Sequence, residues 1–507
     1  MRRLSLQLLG VIAATAVLAG ALLAWALLTP GYRGPDEPQH VSTALRLATG
    51  GGYPDPVSTE LDDGVRGSYA SLGFPSAATI FDNGRPVGAN EAATLPSTSD
   101  LRAAGEPEAD EGLLDQMTQH PPAYSAYLTA WIAVFDLDHA PVNTLLLVLR
   151  LASALLLLPI PWLIAATVRA LGLAPTAQVV GAFLPAAWIQ FVHIGALVNN
   201  GTLLALASSV YLWLLVRVLG GDLRRRTAIG VGAALTVALL TKGFALALVP
   251  LAPIAYLVTA RRHGRAAWVG MAIAAAVALV GAAWWVRNLV VFGTVQPTGS
   301  SGRPSPAIEF GALLEWVPQF LRALSGSMWM NLGWLETPIV PAALHIAASV
   351  VVLGALALGS WRLRQDAAVL VILHGAWILP LCVFALGSAR NYLYAGNIVA
   401  AQGRYLQMSV VALAVLLAAA LARPRWFAVA APLVATVAAT AGLAYGLRHF
   451  WSPATLATAA SWWPGGTALL VASAALLLAG LVLGVFAGAG IARSARLEPV
   501  APAPART

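Results

Sequence analysis

The chain has 507 residues, of which 59% are hydrophobic and only 10% are charged. Soluble domains carry about a quarter of charged residues, so this composition and the mean hydropathy of +0.75 exclude an ordinary soluble protein. The formal net charge of +8 comes from arginines in short junctions between apolar runs, where membrane topology explains them without nucleic acid.

The first apolar run, residues 4–28, is long enough to cross the hydrocarbon core as one helix. Arg2 and Arg3 precede it, so the positive-inside rule places the N-terminus in the cytoplasm and the following residues outside. The run continues past the small residues that resemble a cleavage site, which predicts an uncleaved helix. The single cysteine, Cys382, excludes an intrachain disulfide framework.

Further apolar segments follow, and about twelve transmembrane helices are expected at roughly 20 residues each. The segments are 142–168, 174–193, 202–218, 227–240, 243–260, 267–287, 340–360, 366–388, 405–422, 426–446 and 465–490. Every second junction is rich in arginine, which predicts that both termini are cytoplasmic. Two spans are needed within 227–260 to keep the flanking arginine clusters inside, so Lys242, the only lysine, is expected at an outward-facing hairpin tip.

Long loops separate these spans on the predicted outer side. The predicted division is a first transmembrane helix (1–29), a first extracytoplasmic loop (30–141), a transmembrane core (142–287), a second extracytoplasmic loop (288–339), C-terminal transmembrane helices (340–490) and a disordered cytoplasmic tail (491–507). Pro38 in a first turn, with Asp36 and Glu37 at the cap and glycines at 50–52, predicts a short helix in the first loop. A second interfacial helix is expected within 120–135.

Polar side chains gather at the predicted outer ends of the spans. They include His193, Asn199, Asn200, Lys242, Arg287, Asn288, Arg390, Gln402 and Arg404, in addition to Asp36, Glu37 and His40 of the first loop. Each costs several kcal/mol inside a membrane unless it faces protein or water, and carboxylates at a bilayer edge are usually functional. A shared outward cavity with one acidic and one basic wall is the simplest arrangement that satisfies them.

Several short motifs occur in a fixed order relative to the spans. They are Asp36-Glu37, His120-Pro121-Pro122-Ala123-Tyr124, Leu149-Arg150-Leu151, Val198-Asn199-Asn200, Leu240-Thr241-Lys242, Trp284-Trp285-Val286-Arg287-Asn288 and Gln402-Gly403-Arg404-Tyr405-Leu406. In these motifs the chain resembles a bacterial domain-of-unknown-function family of polytopic membrane proteins, over most of residues 5–425. That family is placed in the GT-C glycosyltransferase superfamily, whose better understood members include protein mannosyltransferases and lipid A aminoarabinose transferases.

The resemblance implies an all-α, GT-C-like polytopic fold in the bacterial plasma membrane. It further implies transfer of a sugar from a polyprenyl-phosphate donor to a glycan, lipid or protein acceptor on the extracytoplasmic face, with an acid of the first outer loop as base. Relatives often carry an acid after the outer asparagine, where this chain has Asn200-Gly201. This departure argues against a second acidic site or a metal site there.

The chemistry of such a transfer accounts for the residue types. One base must take the acceptor proton, whereas a phosphate leaves as an anion and needs fixed cations. Asp36 is preferred over Glu37 as the base because the relatives place an aspartate here. Arg404 is the first choice for the phosphate because arginine makes a planar two-pronged contact, with Lys242 and Arg287 behind it.

The other predicted substrate-binding residues are His40, His120, Asn199, Gln402 and Tyr405. No cofactor is required by this scheme, and a divalent metal held by His40 and His120 stays open.

Structural explanations compete with these assignments. Asp36 and Glu37 are equally suited to capping the short helix, Arg287 to anchoring a helix end beside tryptophans, and Lys242 to snorkelling to water. Two other functional classes also remain, a transporter or flippase of a lipid-linked saccharide and a non-catalytic envelope-assembly protein. A transporter is expected to place its polar residues near the midplane and to have related halves, whereas these residues lie at the outer ends.

Overall fold

The computed structural model describes residues 5–56, 58–72, 95–105, 114–297, 309–334, 341–398, 401–452 and 455–497. Within these ranges the chain is helical, with two isolated β-bridges, Glu60 to Leu114 and Ser97 to Pro141, and no strand. The predicted all-α membrane fold is therefore confirmed. The arginine pair at residues 2 and 3 lies outside the described residues.

The described helices fall into long apolar spans and short helices that connect them at their ends. In chain order they are α1 (Leu6–Leu28), α2 (Glu37–Ala48), α3 (Asp63–Ser71), α4 (Thr98–Ala104), α5 (Ala123–Phe135), α6 (Val142–Leu155), α7 (Ile160–Ala170), α8 (Pro175–Ala187), α9 (Ile189–Gly195), α10 (Gly201–Leu219), α11 (Arg225–Leu239), α12 (Leu251–His263), α13 (Arg265–Phe292), α14 (Phe310–Trp329), α15 (Ala342–Arg362), α16 (Ala367–Ala395), α17 (Val410–Leu421), α18 (Phe427–Trp451), α19 (Leu456–Ser461) and α20 (Gly466–Leu497).

Ten helical segments of the described chain are long and apolar enough to cross a bilayer. Helices α8 and α9 meet at a bend of 63° and raise the number to eleven if they form one broken span. About twelve spans were predicted, and the difference is α11. It has 15 residues, or about 22 Å at 1.5 Å per residue, which is shorter than a hydrocarbon core of about 30 Å.

Lys242 lies in the turn of a helical hairpin, between α11 and a 3-10 segment, Gly243–Leu248, that leads into α12. The prediction of a hairpin at this position agrees with the structure. The Lys242 side chain is only 8% exposed at this turn, and its outward-facing placement stays a prediction. Its ammonium group is turned into the protein, where Nζ donates a hydrogen bond to Oδ1 of Asn200 at 2.9 Å.

The predicted disordered tail begins too early. Helix α20 continues through Leu497, so residues 491–497 are helical. This segment contains alanine, arginine and leucine, which are strong helix formers, and it extends the preceding span without a breaker. Residues 498–507 lie outside the described part of the chain.

Helix α1 is buried in the centre of the bundle and packs against α8, α18 and α20. Indole groups from distant segments fix its C-terminal end. Trp451 and Trp463 donate their Nε1 hydrogens to the carbonyls of Leu28 and Leu27, at 2.6 and 2.7 Å. These contacts hold the start of the first loop, and therefore the entry to α2, in one position.

The two short helices predicted in the first loop are present as α2 and α5. Helix α2 begins at Glu37 and ends at Ala48, before the glycine run. The Gly51 amide then donates to the Arg46 carbonyl at 2.8 Å, which closes the helix end. Asp36 occupies the N-cap position, but its side chain makes no capping hydrogen bond. The alternative explanation, in which the two acids only cap this helix, is therefore not supported by a capping hydrogen bond from Asp36.

Candidate active site

Arg150 of α6 fixes the loop that carries the two acids. Its Nη1 donates to the carbonyls of Ala26, at 2.9 Å, and Thr29, and its Nη2 donates to the carbonyl of Pro30 at 2.8 Å. The remaining Nε and Nη2 hydrogens form a two-pronged contact with Glu37, both at 2.7 Å. All five donors of this buried guanidinium are thus used by the end of α1, the loop and the start of α2.

Glu37 is the other half of this buried ion pair. Neither it nor Arg150 has any exposed side-chain surface, and the Val198 amide also donates to Glu37 at 3.2 Å. A carboxylate in this environment has no path to a substrate. The structure therefore places Glu37, predicted as a second catalytic acid, among the residues that hold the loop.

Asp36 differs from its neighbour because its side chain is partly exposed and pairs with Arg404, which lines a small polar cleft. Its backbone is in the left-handed region, with φ 64°, which is uncommon for a residue other than glycine and often marks a functional site. Its Oδ2 accepts a hydrogen bond from Arg404 Nη2 at 2.9 Å, and 17% of its side chain is exposed. Burial raises the pKa of Asp36, but the neighbouring Arg404 and Lys242 outweigh burial and hold it below its ordinary value.

Arg404 comes from the 3-10 segment Gly403–Ser409, which precedes α17. Its Nε donates to Gln402, its guanidinium lies 5.5 Å from the ring centre of Tyr405, and its Nη1 is buried without a hydrogen-bond partner. Gly403 allows the close approach, because a Cβ there would lie 2.4 Å from the Met328 Cα. The segment is pinned by the Gly403 amide, which donates to the Ser327 hydroxyl at 2.8 Å.

Lys242 and the asparagine pair complete the cleft opposite Asp36. The only hydrogen bond recorded for the Lys242 ammonium in the described chain is that to the Asn200 amide, and Asn200 Nδ2 is buried without a partner. Burial and the charge of Arg404, opposed by Asp36, together lower the pKa of Lys242 to about 7. Asn199 donates to the carbonyl of Pro35 at 3.3 Å and so supports the residue before Asp36.

His40 and His120 lie beside the cleft as neutral side chains. Burial lowers the pKa of His40 to about 3, despite the opposing effect of Asp36. The backbone N–H of Asn200 donates to His40 Nε2 at 3.5 Å. Burial likewise keeps the pKa of His120 well below its ordinary value, with Lys242 as the largest charge acting on it. No group of three or more potential metal ligands occurs in the residues that the structure describes. The geometry therefore gives no support to a metal site here.

The predicted site residues thus separate into three groups. In the first group, Asn199, Lys242, Arg404 and Tyr405 line one cleft, Asp36 and Gln402 accept hydrogen bonds from Arg404, and His40 and His120 lie within range of the charges of Lys242 and Arg404. Glu37 lies behind the cleft in its ion pair. Arg287 belongs to a separate pocket, where its guanidinium lies 5.2 Å from the ring centre of Trp284. The prediction that Arg287 shares the Arg404 site is not supported by this placement.

An apolar groove begins at the same place. Leu406, two residues after Arg404, lines a cavity of about 320 Å³ that continues along Val410, Leu413 and Leu417 of α17. Its other walls come from α8, α14, α15 and α16, and none of its lining residues is charged. A charged cleft and a long apolar groove are therefore adjacent, as an amphipathic ligand with a polar head and an apolar tail would require.

Sequence reasoning missed two roles. Arg150 was quoted only as part of a motif, although a lone arginine in the apolar segment 142–168 signals a buried partner. The second is Asn200, which was noted only because many relatives have an acid next to this asparagine. In the structure its neutral side-chain oxygen accepts the hydrogen bond of Lys242. Because this partner is neutral, the lysine charge is offset by Asp36 and not by Asn200.

Solved structures similar to the chain include two crystal structures of ArnT from Cupriavidus metallidurans. The apo structure has 15% identity and a TM-score of 0.34, and that bound to undecaprenyl phosphate has 16% and 0.33; both matches cover 81% of this chain and 78% of that one. The oligosaccharyltransferase from Archaeoglobus fulgidus, tethered with an acceptor peptide, has 12% identity and a TM-score of 0.40 over 95% of this chain and 55% of its own. All three scores are below 0.5, and we draw no functional argument from them.

No curated protein matches the sequence of the chain. A protein-family comparison does match, over most of the chain. The family is described as "Predicted membrane protein (DUF2142)", and its match covers residues 20–417. The predicted relation to a domain-of-unknown-function family is confirmed, and the chain belongs to this family of membrane proteins.

Proposed function

We propose that this chain is a membrane glycosyltransferase that moves a sugar from a polyprenyl-phosphate donor to an acceptor hydroxyl on the extracytoplasmic face. The observation that carries the proposal is the pairing of Asp36 with Arg404 in a cationic cleft that adjoins an apolar groove. The motif resemblance to the GT-C superfamily points to the same class of reaction. The bacterial plasma membrane is the expected location.

The cleft has the features of an anion site. Arg404 has a buried Nη1 without a partner, Asn200 has a free amide nitrogen, and Lys242 is held by a neutral oxygen. Buried donors without partners cost about 1–3 kcal/mol each, so a ligand that supplies acceptor oxygens is stabilised there. A phosphate provides several such oxygens, and its bonds to charged donors are the strong ones.

The groove supports a lipid-linked phosphate over a soluble one. Its lining is apolar and uncharged, and it starts at Leu406, beside the arginine that would bind the phosphate. A polyprenyl tail already lies among lipid chains, so it gains little transfer free energy in the groove, and the uncharged wall along α17 serves to position the tail next to the cation cluster. The cation cluster would then bind the headgroup, and the groove would bind the first isoprene units.

Asp36 is proposed as the general base. It takes the proton of the acceptor hydroxyl while that oxygen forms its bond to the anomeric carbon of the donor. The bond between this carbon and the phosphate oxygen breaks, and the polyprenyl phosphate leaves with the electron pair. Arg404 and Lys242 stabilise the charge that develops on the phosphate. A single displacement of this kind needs one carboxylate, which agrees with the burial of Glu37.

Donor binding and base activation are coupled in this proposal. The pocket between Asn199, Lys242, Arg404 and Tyr405 has a volume of about 10 Å³, enough for roughly one water molecule. A phosphate therefore needs the cleft to open, and Arg404 turns from Asp36 to the phosphate. Loss of this contact raises the pKa of Asp36 towards its ordinary value and strengthens it as a base. The base is then active only when the donor is present.

The test uses the full chain in lipid nanodiscs with a set of polyprenyl-phosphate sugars. We expect Asp36→Asn to abolish turnover of the donor while binding of undecaprenyl phosphate is kept within about threefold. Asp136→Asn is the matched control, because that side chain is 77% exposed and remote from the cleft. Failure of the parent to bind undecaprenyl phosphate, or full turnover by a folded Asp36→Asn variant, would refute the proposal. Binding without turnover by the parent would favour the transporter or the assembly protein.

A further inference from the structure

A second pocket lies outside the cleft, at the junction of the first loop and the end of α13. It has a volume of about 360 Å³, within the range of small-molecule sites. Its polar lining includes Tyr53, Thr118, Gln119, Trp284, Arg287 and Asn288. Arg287 lies on the exposed side of α13, so the pocket opens at the rim of the protein.

The pocket is built for a ligand with many hydroxyl groups. Gln119 supplies an amide group and Arg287 a planar set of donors, whereas the Asn288 amide and the Thr118 hydroxyl already donate to the carbonyls of Val295 and Asp115. Tyr53 and Trp284 form an edge-to-face pair with ring centres 5.2 Å apart, and the indole Nε1 is buried without a hydrogen-bond partner. Aromatic surface beside amide and guanidinium groups suits both the apolar and the hydroxyl faces of a sugar ring.

The charges of the lining favour a neutral ligand over a phosphate. Asp55 and Arg287 both line the pocket and carry opposite charges. The Arg287 guanidinium also has two partners in the protein, since its Nη1 donates to Asn288 Oδ1 at 3.1 Å and its face lies over Trp284. This pocket therefore contrasts with the cationic cleft around Arg404 and is unsuited to a second donor phosphate.

A single wall separates the pocket from the candidate active site. Gln119 lines the pocket, and the next residue, His120, borders the cleft, where Lys242 is the largest charge acting on it. The Tyr53 hydroxyl donates to the His120 carbonyl, which ties the two sites together. Gln296 links the two sites as well. Its Nε2 donates to Gln119 Oε1 at 2.9 Å, and its own Oε1 packs so closely on Gly243, next to Lys242, that a Cβ there would lie 2.7 Å away.

We infer that this pocket binds the acceptor, and that the acceptor is an uncharged saccharide. The inference rests on the proposed transferase function and deepens it, because it names the acceptor class. The donor tail approaches the cleft from the groove beside Leu406, whereas the acceptor sugar approaches from the opposite side, past His120 and Lys242. In this inference Arg287 binds the acceptor, whereas the sequence analysis assigned it to the donor phosphate.

The experiment is saturation-transfer NMR on the full chain in nanodiscs. The probes are the methyl glycosides of glucose, galactose, mannose and arabinose, with methyl glucuronide as the charged comparison. We expect signal for at least one neutral glycoside, at least a fivefold reduction in Gln119→Ala and in Arg287→Ala, and a weaker signal for the glucuronide. Arg448→Ala is the control, because it removes an exposed arginine at the same end of the bundle, near the contact between Trp451 and Leu28.

Two outcomes would overturn the inference: no neutral glycoside binds the parent, or both pocket variants bind as the parent does. Thermal unfolding of each variant shows whether a lost signal reflects loss of the fold, and Arg287→Ala, at an exposed side chain, is expected to unfold like the parent. Undecaprenyl phosphate binding is measured on the same samples. If it fails in the parent while glycosides bind, the transferase proposal fails and the saccharide pocket stands.

Discussion

Replacement of Arg150 by leucine should be among the most damaging single changes in this protein. The guanidinium and its partner Glu37 have no exposed side-chain surface, so the variant leaves a buried carboxylate without its counter-ion. Three carbonyls, of Ala26, Thr29 and Pro30, also lose their donors. Removing one partner of a buried ion pair typically costs about 3–5 kcal/mol.

The carboxylate of the variant has one way to reduce this cost, which is to take up a proton. For a glutamate of reference value about 4.3, protonation at pH 7 costs about 3.7 kcal/mol, from about 1.36 kcal/mol per unit. The native state of the variant then binds one proton that the unfolded state does not. Its stability therefore falls as pH rises, and the destabilisation shrinks by about 1.4 kcal/mol for each unit of decrease in pH.

The assay is unfolding of the purified protein in mixed micelles by increasing SDS, followed by circular dichroism between pH 5.5 and 8. Asp222→Asn is the control, because it breaks a partly exposed pair with Arg217, whose side chains are 17% and 27% exposed. Such a pair contributes about 0–1 kcal/mol. Adding Glu37→Gln to Arg150→Leu should recover part of the loss and remove the pH dependence. A loss below about 1 kcal/mol at pH 8, or one that does not vary with pH, would refute this account of the pair.

The remaining predictions concern the cleft and the topology. Arg404→Ala should weaken binding of undecaprenyl phosphate about tenfold or more, and Arg404→Lys should recover part of it, because lysine keeps the charge but loses the two-pronged geometry; equal binding by both variants and the parent in nanodiscs would make this arginine structural. Donor kcat/KM should decline as pH rises through about 7, because Lys242 loses its charge there, and Lys242→Arg should move this decline to higher pH; an unchanged profile contradicts the assignment. In a Cys382→Ala background, cysteine at the exposed Ala104 should react with an impermeant thiol reagent on intact cells, whereas cysteine at the exposed Ala266 should not; the reverse pattern would invert the topology.

The fold was largely predictable because apolar length and arginine placement are local properties of the sequence. Most predicted spans lie within a few residues of the observed helices, and the glycines at 50–52 end α2 as expected. Side-chain positions that depend on tertiary contacts could not be predicted in this way. Lys242 is turned inward by the Asn200 amide, and no local pattern around residue 242 shows that partner.

The site was predictable only in its membership. Polar residues at the ends of apolar runs were expected to meet, and Asn199, Lys242 and Arg404 line one cleft in which Arg404 pairs with Asp36. The sequence could not divide those residues into pairs, since pairing depends on which helices pack together. The separate pocket that Arg287 lines was therefore not foreseen, although its residue type was recognised as one that binds ligands.

Adjacent acids with opposite roles illustrate how this division is made. Asp36 and Glu37 follow the same span and are one peptide bond apart, so only the family resemblance favoured Asp36 as the base. The left-handed backbone at Asp36 turns their side chains to different surroundings. Glu37 meets a fully satisfied guanidinium and holds the loop, whereas Asp36 meets an arginine that still has a free donor. The Arg404 contact with Asp36 leaves one arginine donor unused. In the proposed mechanism a phosphate replaces this contact, and Asp36 is then free to act as the base.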